Sequence, residues 1–229
     1  MDRSTQKSRY GLVASYYDFL GRIWTGGNIR KSKLWQLRFL KHGDRVLFAG
    51  VGTGEEVVQA AQIGVHVVII DISNQMLCIA RNKLIKAGIE NVVIIHGDIL
   101  DHYCPSAYDA VVANYLLDVF EPSTMQIVLI HLMRQVKQDG HFLVAGFAPA
   151  SGSMVQKLLT KLHYGIPSLI FYLFLGNAMH KIYDYLPLLV QHGFMIHDRR
   201  YFFLFGKYIR STYSICAVRR CFDDELIIP

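Results

Sequence analysis

A glycine-rich segment after the first apolar run of the chain offers nearly bare backbone to a ligand. In VLFAGVGTGEE, glycines stand at every second position and two acids follow at once: Gly50, Gly52, Gly54, Glu55 and Glu56. The dinucleotide fingerprint G-x-G-x-x-G holds a pyrophosphate at a helix N-terminus, but here Glu55 takes the place of its third glycine. Two carboxylates would repel a pyrophosphate. The spacing therefore predicts a ligand that lacks phosphates and carries positive charge.

Two further acids follow the next two apolar segments. Asp71 ends the segment HVVIID, and an acid roughly 20 residues after the first glycine, at the end of the next strand, accepts hydrogen bonds from ribose hydroxyls. Asp98 follows the third segment, where a carboxylate can accept from an exocyclic amine while Ile72 and Ile99 flank a flat base. The alternative for Asp98 is that it only caps the end of the strand. A nucleoside without phosphates but with a cationic centre describes S-adenosylmethionine.

The motifs VLFAGVGTG, VVIIDIS, HGDIL and YDAVVAN follow one another in the order and spacing of the class I methyltransferases. From about Val46 to Phe147 the chain resembles that family. The resemblance implies that the glycine loop passes the methionine part of the cofactor, that the acid after the second strand binds ribose, and that the acid after the third binds adenine. The cofactor-binding residues that it implies, with their neighbours, are Gly50, Gly52, Thr53, Gly54, Asp71, Ile72, Asp98, Ile99 and Asn114.

The beginning of the chain is similar to a narrower group. Tyr10, the Val-Ala pair after it, and Tyr17 followed by an aspartate resemble the opening of the ubiquinone/menaquinone C-methyltransferase type. Tyr10 and Tyr17 could close over the cofactor, and we include them among the predicted cofactor-binding residues. The alternative is that both are core aromatics.

One position departs from the class I pattern. Phe48 stands two residues before the first loop glycine, where these enzymes usually have an acid that helps hold the amino end of the cofactor. Either Glu55 or Glu56 compensates, or backbone alone holds the methionine end.

The acceptor meets the cofactor after the fourth strand in this fold, which makes Asn114 and Tyr115 candidates for contact with both. Asp118 lies one turn further on and could act as a general base. The predicted catalytic candidates are therefore Tyr115 and Asp118, and a packing role is the alternative for both Asn114 and Tyr115. Asn-Tyr-Leu-Leu differs from the Asn/Asp-Pro-Pro-Tyr pattern of base methylation, which argues against a nucleic-acid substrate. The histidines lack metal-ligand spacing, so no metal site is predicted.

Strand-like and helix-like segments alternate in the middle of the chain, which predicts a parallel sheet wound by right-handed crossovers. The expected fold is α/β and Rossmann-like, with a doubly wound, mostly parallel seven-stranded sheet and an antiparallel C-terminal edge. The predicted strands are Arg45–Gly50, His66–Asp71, Asn91–His96, Tyr108–Asn114, His141–Phe147, Phe194–Phe205 and Tyr208–Arg219. The predicted helices are Gly54–Gln62 closed by Gly64, one capped by Ser73 and ended by Gly88, and Ser123–Gln138 capped by Ser123 and ended by Gly140.

The length of 229 residues predicts one domain. Its predicted parts are a helical N-terminal cap (1–44), a cofactor-binding core (45–150), an apolar helical cover (151–192) and a C-terminal hairpin with a tail (193–229). Residues 166–175 either line a pocket for a lipophilic substrate or form a helix buried on the sheet.

The composition and the first residues of the chain bear on the cellular compartment that we expect. The chain is 52% hydrophobic with a net charge of +6, and it opens with a polar stretch rather than the apolar region of a secretory signal. Its four cysteines lack metal-like pairing and are expected to be reduced thiols. We expect a cytoplasmic protein, with peripheral contact to a membrane as an option, and its oligomeric state is left open.

The predicted function is S-adenosylmethionine-dependent transfer of a methyl group to carbon or oxygen of a hydrophobic small molecule, such as a quinone, a lipid or an aromatic metabolite. One alternative is an enzyme that binds the cofactor without transferring methyl, as a cyclase or isomerase would. Another is a basic, non-catalytic module that binds a membrane or RNA.

Overall fold

The computed structural model of the protein describes residues 24–175, 182–206 and 208–220. Tyr10 and Tyr17 lie outside this part of the chain. For residues 166–175 the structure describes the backbone but not the side chains, so the two alternatives given for this segment stay predictions.

The described helices and strands are numbered in chain order. The helices are α1 (Asn28–Trp35), α2 (Glu55–Ile63), α3 (Asn74–Lys86), α4 (Pro122–Met133), α5 (Met154–Leu175) and α6 (Leu186–Gln191). The strands are β1 (Arg45–Ala49), β2 (His66–Asp71), β3 (Val92–His96), β4 (Tyr108–Asn114), β5 (Val136–Phe147), β6 (Phe194–Leu204) and β7 (Ile209–Arg219). Single 3₁₀ turns occur at Gln36–Phe39, Ile99–Asp101 and Leu117–Val119.

The strands form one seven-stranded sheet in the order β3-β2-β1-β4-β5-β7-β6. The first five strands of this order are parallel, and β7 is antiparallel to both of its neighbours. The predicted fold class is thereby confirmed. The order reverses between β1 and β4, and in open sheets of this kind the crevice at such a point binds ligands.

Apolar side chains cover both faces of the sheet, as parallel strands between helices require. On one face Leu47 and Phe142 pack with α4, and on the other Phe48 and Leu143 pack with α2 and α3. The side chains of β1 thus alternate between two cores. Phe48 is only 3% exposed, so the residue that departs from the class I pattern serves the core.

The helix after β4 begins earlier than predicted. Ser123 was the expected N-cap, but Glu121 occupies that position and Pro122 is the first helical residue. Proline is favoured there because its fixed φ suits a helix and it lacks an N–H that would have no partner. The proline signal therefore outweighs the serine signal.

The same helix ends five residues before the predicted Gln138, at Met133. Val136 already pairs with Tyr108 in the sheet, and the register shifts just beyond this pair. Asp139 takes a left-handed conformation (φ 58°) within the strand. Long-range pairing with β4 overrides the helix-like pattern here, so Gly140 lies inside β5 rather than at a helix end.

The predicted helical cover also differs in detail. Instead of continuous helix over 151–192, the described residues contain α5 and the short α6, and residues 182–185 between them are not helical. The other boundaries agree closely with prediction, including the Ser73 side chain that caps α3 by accepting from the Met76 N–H at 3.4 Å.

Gly54 joins the glycine loop to the packing of two helices. It has a left-handed φ of 71° immediately before α2, and a Cβ on this residue would lie 2.8 Å from the Cβ of Ala80 in α3. Only a residue without a side chain permits this approach.

We expect Gly54→Ala to lower the free energy of unfolding by about 2 kcal/mol more than Gly88→Ala, because it adds overpacking to left-handed strain. Gly88 is the matched control, since its φ is 69° and nothing lies within 4 Å of a Cβ there. Urea denaturation of both variants measures the difference. Equal losses would show that the helix contact is unimportant.

Candidate cofactor-binding site

The glycine loop turns sharply at the carboxyl end of β1, with all three glycines left-handed. Gly50 donates its N–H to the carbonyl oxygen of Ile70 at 2.9 Å, and a Cβ on Gly50 would lie 2.9 Å from Cδ1 of Leu116. At Gly52 the nearest atom to such a Cβ is Nζ of Lys33, at 3.7 Å. Packing and conformation therefore both require Gly50, whereas Gly52 presents open backbone. Thr53 lies half-buried beside it.

Asp71 connects the end of β2 to this loop. Its Oδ1 accepts from the Ser73 N–H at 2.8 Å. Burial raises the pKa of the carboxyl, against hydrogen bonds from the backbone of Ser73, Val51 and Gly52 that lower it. Since an ionised carboxylate offers about four acceptor sites, Asp71 can bind the loop and still accept from a ribose hydroxyl.

Asp98 and its neighbours lie at the end of the adjacent strand. Oδ1 of Asp98 accepts from the Leu100 N–H at 3.0 Å and caps a 3₁₀ turn. Ile72 is 55% exposed, while Ile99 is buried in the core. Of the two isoleucines predicted to flank the base, Ile72 has a face open to a ligand. The adenine-binding role of Asp98 stays a prediction.

Asn114 is the last residue of β4, and the two polar atoms of its side-chain amide differ in their hydrogen bonding. Its Oδ1 accepts from the Ala145 N–H at 3.0 Å, whereas the buried Nδ2 has no hydrogen-bond partner among the described residues. A buried donor without a partner is costly. The residue therefore suits a ligand that offers an acceptor.

Tyr115 follows in a left-handed conformation with φ 56°. Its hydroxyl lies 2.7 Å from Oγ of Ser32 in α1, and its ring packs edge-on against Phe147. Burial raises the pKa of this hydroxyl, which keeps it protonated. Because the Ser32 hydroxyl donates to the Ile29 carbonyl oxygen, the Tyr115 hydroxyl is the donor to Ser32. Tyr115 can thus position a ligand, but it is unsuited to act as a base.

Asp118 lies among tyrosines beyond β4. Oδ1 of Asp118 accepts from the Tyr185 hydroxyl at 2.6 Å, and Oδ2 accepts from the Phe147 N–H at 3.4 Å. Burial and the charge of Asp118 raise the pKa of Tyr185 and Tyr213. The tyrosines of this cluster, which sequence reasoning missed, are Tyr164, Tyr183, Tyr185 and Tyr213.

Helix α1 brings two cations to the acids that follow the loop. Nε of Arg30 lies 2.5 Å from Oε1 of Glu55, and Nζ of Lys33 lies 3.0 Å from Oε1 of Glu56. Both carboxylates therefore have partners within the chain. Their expected repulsion of a phosphate is weaker than sequence reasoning assumed, because the partners come from a segment that the motif does not include.

These residues fit a nucleoside that carries an amino acid. The loop offers backbone, Asp71 offers acceptor sites that ribose could use, and Asn114 offers a donor that no described residue accepts from. Tyr10 and Tyr17 lie outside the described residues.

Comparison with known proteins supports the same class. Residues 46–140 match the family described as a methyltransferase domain. The demethylmenaquinone methyltransferase of Clavibacter sepedonicus is 30% identical over 152 residues, covering 63% of this chain and 59% of that protein. The chain therefore matches less than two thirds of this relative's length.

Two solved structures share the fold. The 1,6-didemethyltoxoflavin-N1-methyltransferase of Burkholderia thailandensis, with bound 1,6-didemethyltoxoflavin and S-adenosylhomocysteine, aligns with a TM-score of 0.66 and 17% identity, covering 95% of this chain and 89% of that chain. The [4+2]-cyclase SpnF aligns with a TM-score of 0.60 and 19% identity, covering 84% and 80%.

Residues 46–140 thus match a methyltransferase domain, and the fold and the glycine loop are those that the resemblance to class I, S-adenosylmethionine-dependent methyltransferases predicts. In sequence the chain is related to the menaquinone C-methyltransferases. The predicted class of protein and its cofactor are thereby confirmed.

We expect Asp71→Asn to weaken binding of S-adenosylhomocysteine by about tenfold or more, because a charged acceptor of ribose hydrogen bonds is lost. The folding stability of Asp71→Asn, in contrast to its affinity, should not fall. Folding raises the pKa of Asp71, so the folded state binds its proton more tightly than the unfolded chain does. The stability from this group is present at low pH and is lost as pH rises through the raised pKa.

The variant should therefore be at least as stable as the wild type at pH 7, and its advantage should shrink toward pH 4. Calorimetric titration and thermal unfolding between these pH values measure both effects. Tight binding of S-adenosylhomocysteine by Asp71→Asn would contradict the ribose role.

Proposed function

We propose that the protein transfers the methyl group of S-adenosylmethionine to carbon or oxygen of a hydrophobic small molecule, with a quinol as the leading acceptor class. The observation that carries this proposal is the position of Asp118 among tyrosines next to the ends of β4 and β5. Acceptors bind beyond the fourth strand in this fold, and aromatic walls with one carboxylate suit a hydroxylated ring. The related demethylmenaquinone methyltransferase supports the same acceptor class.

The chain's own residues would divide the work. The glycine loop and Asp71 hold the cofactor, which supplies an electrophilic sulfonium methyl group when bound. Tyr115 stays protonated and positions the acceptor. Asp118, held by the Tyr185 hydroxyl and the Phe147 N–H, accepts the proton that the acceptor must lose. Alignment of bound reactants provides much of the rate, since proximity can contribute roughly 7–11 kcal/mol at best.

A cyclase or isomerase that uses the cofactor without methyl transfer is the second candidate. Phe48, buried in the core where the class usually has an acid, is the feature that favours it. Measuring product together with S-adenosylhomocysteine separates the candidates, because only methyl transfer releases one demethylated cofactor for each turnover.

We also propose that the protein meets its acceptor at an anionic membrane. Four exposed side chains of α5 share one face: Met154, Val155, Leu158 and Leu162. Lys157 and Lys161 are exposed beside them, and a basic amphipathic helix of this kind binds in the plane of an anionic bilayer. Among the described residues, none of the helices has the length and apolarity needed to cross a membrane.

We expect Asp118→Asn to lower kcat with a demethylated menaquinol by about 100-fold, because a positioned base typically contributes 10²–10⁴-fold. Tyr185→Phe should have a smaller effect, since it removes one of the hydrogen bonds that hold the carboxylate. Tyr183→Phe is the matched control, because that hydroxyl donates to the Phe120 carbonyl oxygen at 2.8 Å. Methylated product is measured by mass spectrometry. Full activity of Asp118→Asn would refute the base.

We expect Leu158→Glu and Leu162→Glu to reduce binding to vesicles that contain phosphatidylglycerol by about tenfold each, since apolar burial and charge attraction both fall. Ile127→Glu, on the exposed side of α4, is the control. Vesicle flotation provides the measurement. Equal binding by all three variants would exclude this face as the contact.

A further inference from the structure

Helix α1 and the beginning of α2 hold a shielded ion pair over the glycine loop. Nζ of Lys33 lies 3.0 Å from Oε1 of Glu56, and the two side chains are 17% and 5% exposed. The neighbouring pair of Arg30 and Glu55 is open, at 45% and 44%. A shielded pair gains little net stability, because both charges lose their water. Its presence at this loop therefore calls for a reason other than stability.

The pair lies on the stretch of loop that the resemblance assigns to the methionine part of the cofactor. Nζ of Lys33 is the atom nearest to the position that a Cβ of Gly52 would take, at 3.7 Å. The same ammonium lies 6.0 Å from the ring centroid of Tyr115, at the end of β4. Glu56 is in the first turn of α2. The cation and the anion thus flank the backbone that a ligand would pass.

Class I methyltransferases usually have an acid near the end of the first strand that helps hold the amino end of the cofactor. In this chain β1 lacks that acid. Phe48 occupies its position and is buried among apolar side chains. An ammonium group taken out of water needs a charged or hydrogen-bonding partner. Among the residues described around the loop, Glu56 is the carboxylate that is both buried and adjacent to it.

We propose that Lys33 and Glu56 together bind the amino-acid end of S-adenosylmethionine, with Lys33 taking the α-carboxylate and Glu56 the α-ammonium group. This inference rests on the proposed cofactor site and names what replaces the missing acid. In the free protein the two side chains neutralise each other. A bound zwitterion brings one charge of each sign, so four charges alternate and no net charge is buried.

Three ligands separate this role from a structural one. S-adenosylhomocysteine carries the whole amino-acid end, its decarboxylated analogue keeps only the amine, and 5′-methylthioadenosine lacks both groups. Calorimetric titration of each ligand against the wild type, Lys33→Met and Glu56→Gln provides the measurement. Arg30→Met is the matched control, since it removes the open pair of the same helix.

We expect both variants to bind S-adenosylhomocysteine about tenfold or more weakly than the wild type, because each loses a charge-assisted hydrogen bond. Neither should change the affinity for 5′-methylthioadenosine. Only Glu56→Gln should weaken binding of the decarboxylated analogue, and Arg30→Met should bind all three ligands as the wild type does.

Two results would overturn the inference while leaving the cofactor site intact. One is unchanged affinity of both variants for S-adenosylhomocysteine. The other is an equal loss for all three ligands, which would indicate a structural role. Failure of the wild type to bind S-adenosylhomocysteine would instead remove the proposed function as well.

The double variant Lys33→Met/Glu56→Gln protects the test against misfolding. It removes both charges together, so no lone charge remains buried beside the loop. We expect it to fold and bind 5′-methylthioadenosine normally but to lose affinity for S-adenosylhomocysteine. Wild-type affinity of the double variant for S-adenosylhomocysteine would count against the inference.

Discussion

The site depends on the lack of space around the glycine loop. Leu116, just beyond the end of β4, packs against Gly50, and Ala80 of α3 packs against Gly54. Between them, Gly52 has room on its open side. The loop is therefore fixed by packing at both ends and exposes backbone in the middle. Asp71 accepts hydrogen bonds from the backbone of the same loop, which fixes its carboxylate at the end of β2.

Helix α1 covers this loop and is itself held by the C-terminal strands. Nδ2 of Asn28 donates to the Phe203 carbonyl oxygen at 3.0 Å, and Nε2 of Gln36 donates to Oγ of Ser214 at 2.9 Å. The antiparallel edge thus supports the helix that carries Lys33. A sheet edge that is remote in sequence from the motif contributes in this way to the geometry of the cofactor site.

Sequence predicted those features whose cause is local. The spacing of Gly50 and Asp71 indicated the loop and the acid, because Gly50 directly follows and Asp71 ends a strand that a continuous apolar run reveals. The predicted end of α4 was wrong, because the pairing of Val136 with Tyr108 determines where this helix ends. A local sequence pattern does not contain that pairing. The partners Lys33 and Tyr185 were missed for the same reason. Each reaches its acid, Glu56 or Asp118, across a distance in sequence that spacing cannot reveal.

The surroundings of Asp118 bear on which acceptors suit the site. Burial and the aspartate's own charge keep Tyr185 and Tyr213 protonated, so these phenols can donate hydrogen bonds but do not compete as bases. The carboxylate is the group left to accept a proton. A carboxylate base is matched to a hydroxylated aromatic ring, whose carbon or oxygen becomes nucleophilic as the hydroxyl proton leaves. A neutral amine needs no such base, because its lone pair is already available. The base proposed at Asp118 would therefore suit a quinol or phenol as the acceptor better than an amine.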